Sequence, residues 1–334
     1  MTRITHRTTE IYSTEFFKDK TVLITGASGL VGSNLVLYFC QLNKRSQTPR
    51  KIFALSKSGV YSRKGGLPDL VEYLNGNLLD SDMLNQLPEA DIIIHCAGYA
   101  QPSLFLANPI ESISLNTSVL IQLIPKVKEN GVLVNLSSSE VYSGNANFPQ
   151  NEGEIGTTNP NHPRSAYIES KRCGEAIINA FRQSGQRRAM SLRLSLAYGP
   201  GAKLGDKRVL SQFVERSLTD KRIILRDQGD AIRTYLYIDD AIEQIIGAIL
   251  WGNDSVYNIA GMEQVTILEL AQTVALITNS VIEVPNKADV VKQAAPDVVW
   301  CDSTKVNTLI GKSDFTSLRV GLENTISWFE KQHP

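Results

Sequence analysis

Three glycines at GxxGxxG spacing, Gly26, Gly29 and Gly32, follow the β-rich run Lys20–Thr25 and precede a helix-like stretch from Ser33 to Leu42. A strand that runs into a glycine turn and reopens as a helix leaves little choice of fold. It presents backbone N–H groups at a helix N-terminus with no Cβ in the way, which is what binding a pyrophosphate demands.

The rest of the N-terminal half keeps the same rhythm. Apolar runs recur at Ile52–Leu55, Asp91–His95, Gly131–Leu136 and Met190–Leu194, separated by helical patterns such as Pro109 to Val127 and Tyr167 to Arg182. Continuous apolar strands alternating with helices predict a parallel sheet covered on both faces, the doubly wound α/β class. After about residue 195 the pattern changes to loops punctuated by Gly and Pro, with helices expected at Asp239–Trp251, Ile267–Ser280 and Thr325–Lys331. The loop Gly199–Asp206 marks the boundary. Residues 1–19 read as an arm, 20–195 as the dinucleotide-binding domain, and 196–334 as a smaller α/β substrate lobe whose pieces return to the main sheet.

Composition narrows the function. Lys+Arg and Asp+Glu both number 34, so the basic excess of a nucleic-acid binder is missing. No apolar run approaches the roughly 20 residues that span a bilayer, and residues 1–20 lack the apolar core of a secretory signal. Cys40, Cys96, Cys173 and Cys301 are scattered, with no CxxC pair and no metal-ligand spacing, which predicts neither disulfide nor metal and a cytoplasmic home.

Tyr167 and Lys171 lie one helical turn apart on one face. A free phenol ionises near pH 10, so a tyrosine that works as a base near neutrality needs a neighbouring positive charge, which Lys171 supplies. A hydroxyl partner is expected at the end of the strand Val132–Leu136, where Ser137, Ser138 and Ser139 follow one another. His95 ends a strand and reads as packing; His6, His162 and His333 have no evident partner.

Taken together these motifs resemble the extended short-chain dehydrogenases, from Lys20 nearly to the C-terminus. The resemblance implies a Rossmann-like domain and selects Ser138, which aligns with the catalytic Ser/Thr of the S-[ST]-x-x-V-Y-G motif. It makes Tyr167 and Lys171 catalytic residues that also contact the cofactor, and Ser138 a contact of the substrate. It also extends the cofactor site to Ser28, Leu30 and Val31 in the turn, Ser56 and Lys57 after the second strand, Asn77 and Leu78, and Ala97 after the run Asp91–His95. Asn116 falls where the family carries a structural or water-holding Asn. A homodimer is implied as well, built by pairing the helices that hold Asn116 and Tyr167.

Within the family the chain is most similar to UDP-glucuronate decarboxylases. The supporting segments are Ala100–Pro102 with Asn108–Ile110, Ser137–Tyr142, His162–Arg164, Lys171–Arg172, Asp206–Phe213 and Thr266–Ala271. The likeness implies that Glu140 assists catalysis, that Arg208 meets the sugar carboxylate, and that Arg233 grips the nucleotide, with Ser139 also lining the substrate. It departs from the pattern at Ser143, Leu196 and Val298, where the decarboxylases carry Gly, Asn and Arg. The expected substrate is a nucleotide sugar oxidised at C4. Epimerase, 4,6-dehydratase and keto-sugar reductase chemistry stand as alternatives, and a non-catalytic dinucleotide sensor as a remote one. No acid closes the second strand and Arg63 and Lys64 follow it, which leans towards NADP; the family resemblance leans towards NAD, which is the expected cofactor, with NADP possible.

Overall fold

The computed structural model describes residues 13–58, 68–185, 187–286 and 296–332. Arg63, Lys64, His6 and His333 lie outside the described residues. Seven parallel strands form the main sheet in the order β11-β6-β5-β4-β1-β2-β3. These are β1 (Thr21–Thr25), β2 (Lys51–Ser56), β3 (Val71–Asn75), β4 (Ala90–His95), β5 (Val127–Ser138), β6 (Arg188–Leu194) and β11 (Val256–Ile259). The chain reverses direction across the sheet between β1 and β4, and there the carboxyl ends of the strands open a crevice.

Alternation along each strand divides the core in two. Val22, Ile24, Ile92, Ile94, Val132 and Val134 face one layer, with Leu35, Val36 and Phe39 of α1 (Leu30–Ser46) and Ile242, Ile245 and Ile249 of α8 (Ile238–Trp251). Leu23, Ile93 and Leu133 face the other, with Leu115 of α4 (Pro109–Asn116), Val119 and Leu120 of α5 (Ser118–Leu123), and Ile178 of α6 (Ser165–Gln183). Each of these side chains contributes roughly 1.5–3 kcal/mol by leaving water. The doubly wound architecture expected from the apolar runs is the one observed.

Local details differ from the sequence reading. The single helix expected over Pro109–Val127 breaks at Thr117, whose φ of −124° and ψ of −77° are not helical; Pro125 then closes a 3₁₀ turn, and Val127 already starts β5. The strand Val71–Asn75 was not anticipated, because only two of its five residues carry β-branched or aromatic side chains. Phe17 is fully buried edge-on against Phe39, so the folded unit begins inside the stretch read as an arm.

The C-terminal part is built of small sheets. β9 (Ile232–Thr234) lies between β12 (Gln264–Thr266) and β14 (Val298–Val299), and β8 (Arg222–Ile224) pairs with β13 (Val281–Glu283). Helices α7 (Val209–Thr219) and α9 (Ile267–Thr278) pack beside them, the latter started by a capping box between Thr266 and Glu269.

Candidate active site

The glycine turn is shaped by steric necessity. Gly26 has φ +68°, and a Cβ there would sit 2.8 Å from the Ala97 backbone; one on Gly32 would lie 2.3 Å from the Gly26 carbonyl oxygen. The turn therefore closes tightly beneath α1, whose N-terminus at Gly29 has no side-chain cap. That leaves first-turn N–H groups open to an anion, and the cradle fits a dinucleotide's pyrophosphate. Ala97 borders the turn from β4, its N–H donating to the Thr25 hydroxyl. Ser28 and Ser56 are hydrogen-bonded to each other at the end of β2, next to Lys57. Leu30 is half-buried. Val31 and Leu78 are core residues, so only their main chain is available to a ligand; Asn77 turns its side chain back on the Leu79 N–H.

The catalytic candidates meet at the ends of β5 and α6. Ser138, the last residue of β5, shares a hydrogen bond with the Tyr167 phenol and also accepts from the Glu140 N–H. Lys171 Nζ stands 5.7 Å from the centre of the Tyr167 ring and donates to the Leu136 carbonyl at 2.7 Å. Burial pushes the phenol up to about 12, the bond to Ser138 pulling the other way, and burial drops Lys171 to about 8. The lowered phenol expected from an adjacent ammonium is thus not what the site holds. Loss of water around the ring outweighs the charge.

Asn116 supports this helix. Its Nδ2 donates to Ser170 Oγ at 2.9 Å, while its Oδ1 is buried with no partner near Gly98 and Lys171. Gly174 lets the two helices touch, since a Cβ there would reach within 2.9 Å of the Asn116 carbonyl oxygen. His95 is locked between Thr25 at 2.8 Å and the Leu115 carbonyl at 2.9 Å, and burial lowers it to about 4. The carbonyl can only accept, so Nε2 carries the proton and Nδ1 accepts from Thr25. It is a structural histidine.

A charged wall stands over Tyr167. Glu140 pairs with Arg164 at 2.5 Å, and Arg233 and His162 also act on it; burial nevertheless raises its carboxyl above the usual range. Ser139 opens the turn that carries Glu140. Arg208 is gripped by Asp206, with Nε and one terminal nitrogen at 2.9 and 2.6 Å, so part of the guanidinium proposed for a sugar carboxylate is already engaged. Arg233 donates to the carbonyls of Ile232, Pro296 and Asp297. Val298, where an arginine was expected, is simply the strand beside it. Ser143 has φ −53° and the positive angle passes to Gly144 at +87°, so the turn does without the expected glycine.

Three site residues were missed by sequence reasoning. Phe105, on α3 (Pro102–Ala107), stacks on the Tyr167 ring at 4.4 Å and 12°; the Arg164 guanidinium lies 5.6 Å from the centre of the Phe105 ring. Tyr235 is partly buried, close enough to Arg233 and Arg208 to feel their charge. Arg164 lay within a segment noted only for its likeness, and Phe105 and Tyr235 carried no local signal. Two cavities of about 690 and 1020 Å³ share Asp240, Lys312 and Phe315; the smaller reaches Tyr235, and neither touches Ser138, Glu140, Tyr167 or Lys171. Among the described residues no cluster suits a metal ion, and no helix is long and apolar enough to cross a membrane.

Comparison with known proteins agrees with this fold. The chain is similar to UDP-glucuronic acid decarboxylase 1 of Danio rerio, 27% identical over 94% of this chain and 73% of that one. Its fold is similar to that of an epimerase from Methanothermobacter thermautotrophicus, with TM-score 0.84 at 20% identity, covering 98% of this chain and 97% of that one. It is also similar to UDP-glucuronic acid 4-epimerase from Bacillus cereus, solved with UDP-glucuronic acid and NAD, with TM-score 0.77 at 21% identity over 93% and 99% of the two chains. Residues 22–260 match the model of the NAD dependent epimerase/dehydratase family, and the chain belongs to that family.

Proposed function

We propose that the protein oxidises a nucleotide sugar at C4 and, by the same internal cycle, decarboxylates a hexuronic acid of the UDP-glucuronate type. The observation that carries the reading is the Ser138–Tyr167 hydrogen bond set beside Lys171 at the carboxyl ends of β4 and β5, next to the glycine cradle. The cofactor would be held by Gly26, Gly29 and Gly32 at the pyrophosphate and by Lys171 at the ribose. When bound, it supplies a carbon centre that accepts hydride from the sugar and later returns it.

The chain's own groups do the rest. Tyr167 would take the C4 hydroxyl proton as its phenolate, a form that the Lys171 ammonium and the positive charge of an oxidised nicotinamide would stabilise against the burial that otherwise keeps the phenol neutral, and Ser138 holds the same oxygen by a second hydrogen bond. The ketone at C4 then stands β to the carboxylate, so carbon dioxide leaves with its electron pair taken up by the carbonyl. Water supplies the proton that C5 takes in place of the carboxylate, which restores the C4 ketone, and Tyr167, protonated in the first step, returns its proton to the C4 oxygen as that ketone is reduced again. The cations Arg164, Arg208 and Arg233 favour a substrate bearing carboxylate and phosphate. Glu140, half-buried near Tyr167 and held by Arg164, would orient the sugar.

The reading is tested by incubating purified protein with a panel of UDP-, dTDP-, GDP- and CDP-sugars and following mass. Loss of carbon dioxide from UDP-glucuronate supports it. If UDP-glucuronate is untouched while another sugar turns over, the decarboxylase assignment fails; loss of water then means dehydration, unchanged mass with altered retention epimerisation, and gain of two hydrogens reduction. The partner in solution is proposed to be a second copy of the chain, supported by the exposed Ile110, Ile113 and Ile121 on α4 and α5 beside α6.

A further inference from the structure

The end of β2 is where a dinucleotide of this fold class is told apart from its 2′-phosphorylated form. A carboxylate there accepts from the ribose hydroxyls and repels a phosphate. Ser56 occupies the place. Its hydroxyl donates to Ser28 Oγ at 2.6 Å, the Ser28 and Ser58 hydroxyls are 2.9 Å apart, and the Ser58 N–H points at Ser56 Oγ at 3.3 Å. Lys203 arrives from the far side of the sequence, in the loop after β7 (Ala197–Tyr198). Its Nζ donates to Ser58 Oγ at 3.2 Å and reaches Ser28 Oγ at 3.5 Å. That loop is anchored over α1: Asn34 Nδ2 donates to the Pro200 carbonyl at 2.9 Å, and Gly201, at φ +101°, has room for no Cβ against Asn34.

Three hydroxyls, one amide and one ammonium therefore converge from three separate segments, with Lys57 alongside. Among the described residues neither lysine is in an ion pair. The hydroxyls satisfy one another in a ring that an anion's oxygens can replace bond for bond, and the ammonium makes those bonds charge-assisted. We propose that this cluster is a seat for the 2′-phosphate of NADP, so that the chain prefers NADP over the NAD of its family's name. The inference rests on the dinucleotide reading of the glycine turn. The internal redox cycle is unaffected, because the phosphate sits on the adenosine ribose, at the opposite end of the molecule from the nicotinamide.

Isothermal titration of the full-length protein with NADP⁺ and with NAD⁺ tests it directly. The expected result is NADP⁺ binding tighter by about tenfold or more. Lys203→Ala, at an exposed position that leaves the fold intact, brings the ratio towards one, and Ser56→Asp inverts it. NAD⁺ binding as tightly as NADP⁺ in the unaltered protein overturns the proposal while sparing the dinucleotide reading. A ratio that neither substitution moves overturns it too. Binding of neither compound removes both.

Discussion

Tyr167 and Lys171 are displaced in opposite directions by the same cause, burial, which holds the phenol neutral and presses the ammonium to give up its proton. Tyr167→Phe is expected to lower turnover by about 10²–10⁴-fold with little change in dinucleotide affinity, read by kinetics and titration on the same sample. Lys171 has a second consequence. Its folded pKa of about 8 lies below its ordinary 10.5, so between those values the unfolded chain binds more protons and stability rises with pH. Lys171→Met should therefore abolish turnover yet raise stability at pH 7 by on the order of 1–2 kcal/mol, seen as a higher melting temperature, the gain shrinking as pH climbs from 8 to 10. A melting curve that favours the lysine at pH 7 would refute this. Tyr167 and Lys171 could be read as a pair because chemistry and spacing are both local, whereas among three successive serines only the family likeness singled out Ser138. Lys203 and Phe105 were not legible, since each reaches the site across a long loop of sequence and no periodicity marks it.

Elements hold the site through one buried network. Glu175 of α6 accepts from Ser137 at 2.6 Å and takes a two-nitrogen grip from Arg193 of β6; Arg193 also donates to the Tyr142 hydroxyl at 2.8 Å, which donates to Asn258 of β11 at 2.7 Å. The helix bearing Tyr167 is thereby pinned to three strands. Glu175→Ala leaves a buried guanidinium unpaired and should cost about 3–5 kcal/mol in chemical denaturation. His95 pins β4 to α4 in the same manner. His95→Phe strands the Leu115 carbonyl and Thr25 hydroxyl, for a loss of about 2–4 kcal/mol. The parent protein carries its own signature of this residue: the imidazole is neutral when folded, so its contribution is complete above about pH 6.5 and fades as acid approaches 4. Strand order and the glycine turn could be read from apolar runs. The break at Thr117 could not, because Ser118–Leu123 continues the apolar spacing of a helix and only the backbone angle at one residue interrupts it.

At the scale of the molecule, Ile110, Ile113 and Ile121 lie exposed along α4 and α5, with Ile110 72% accessible. Light scattering at micromolar concentration should give a dimer, and Ile110→Glu combined with Ile113→Glu a monomer; a monomer from the unaltered chain refutes the pairing. The return of Val256–Ile259 to the edge of the main sheet carries a different lesson. The boundary near residue 195 is one of composition, and the chain beyond it comes back to finish a single sheet. A fragment cut there would bare the flank of β6, a row of unpaired N–H and C=O groups ready to recruit a neighbouring copy. Grafting the sugar-recognising half onto another member of the family must therefore bring α8 and β11 as part of the recipient scaffold, or exchange loops alone.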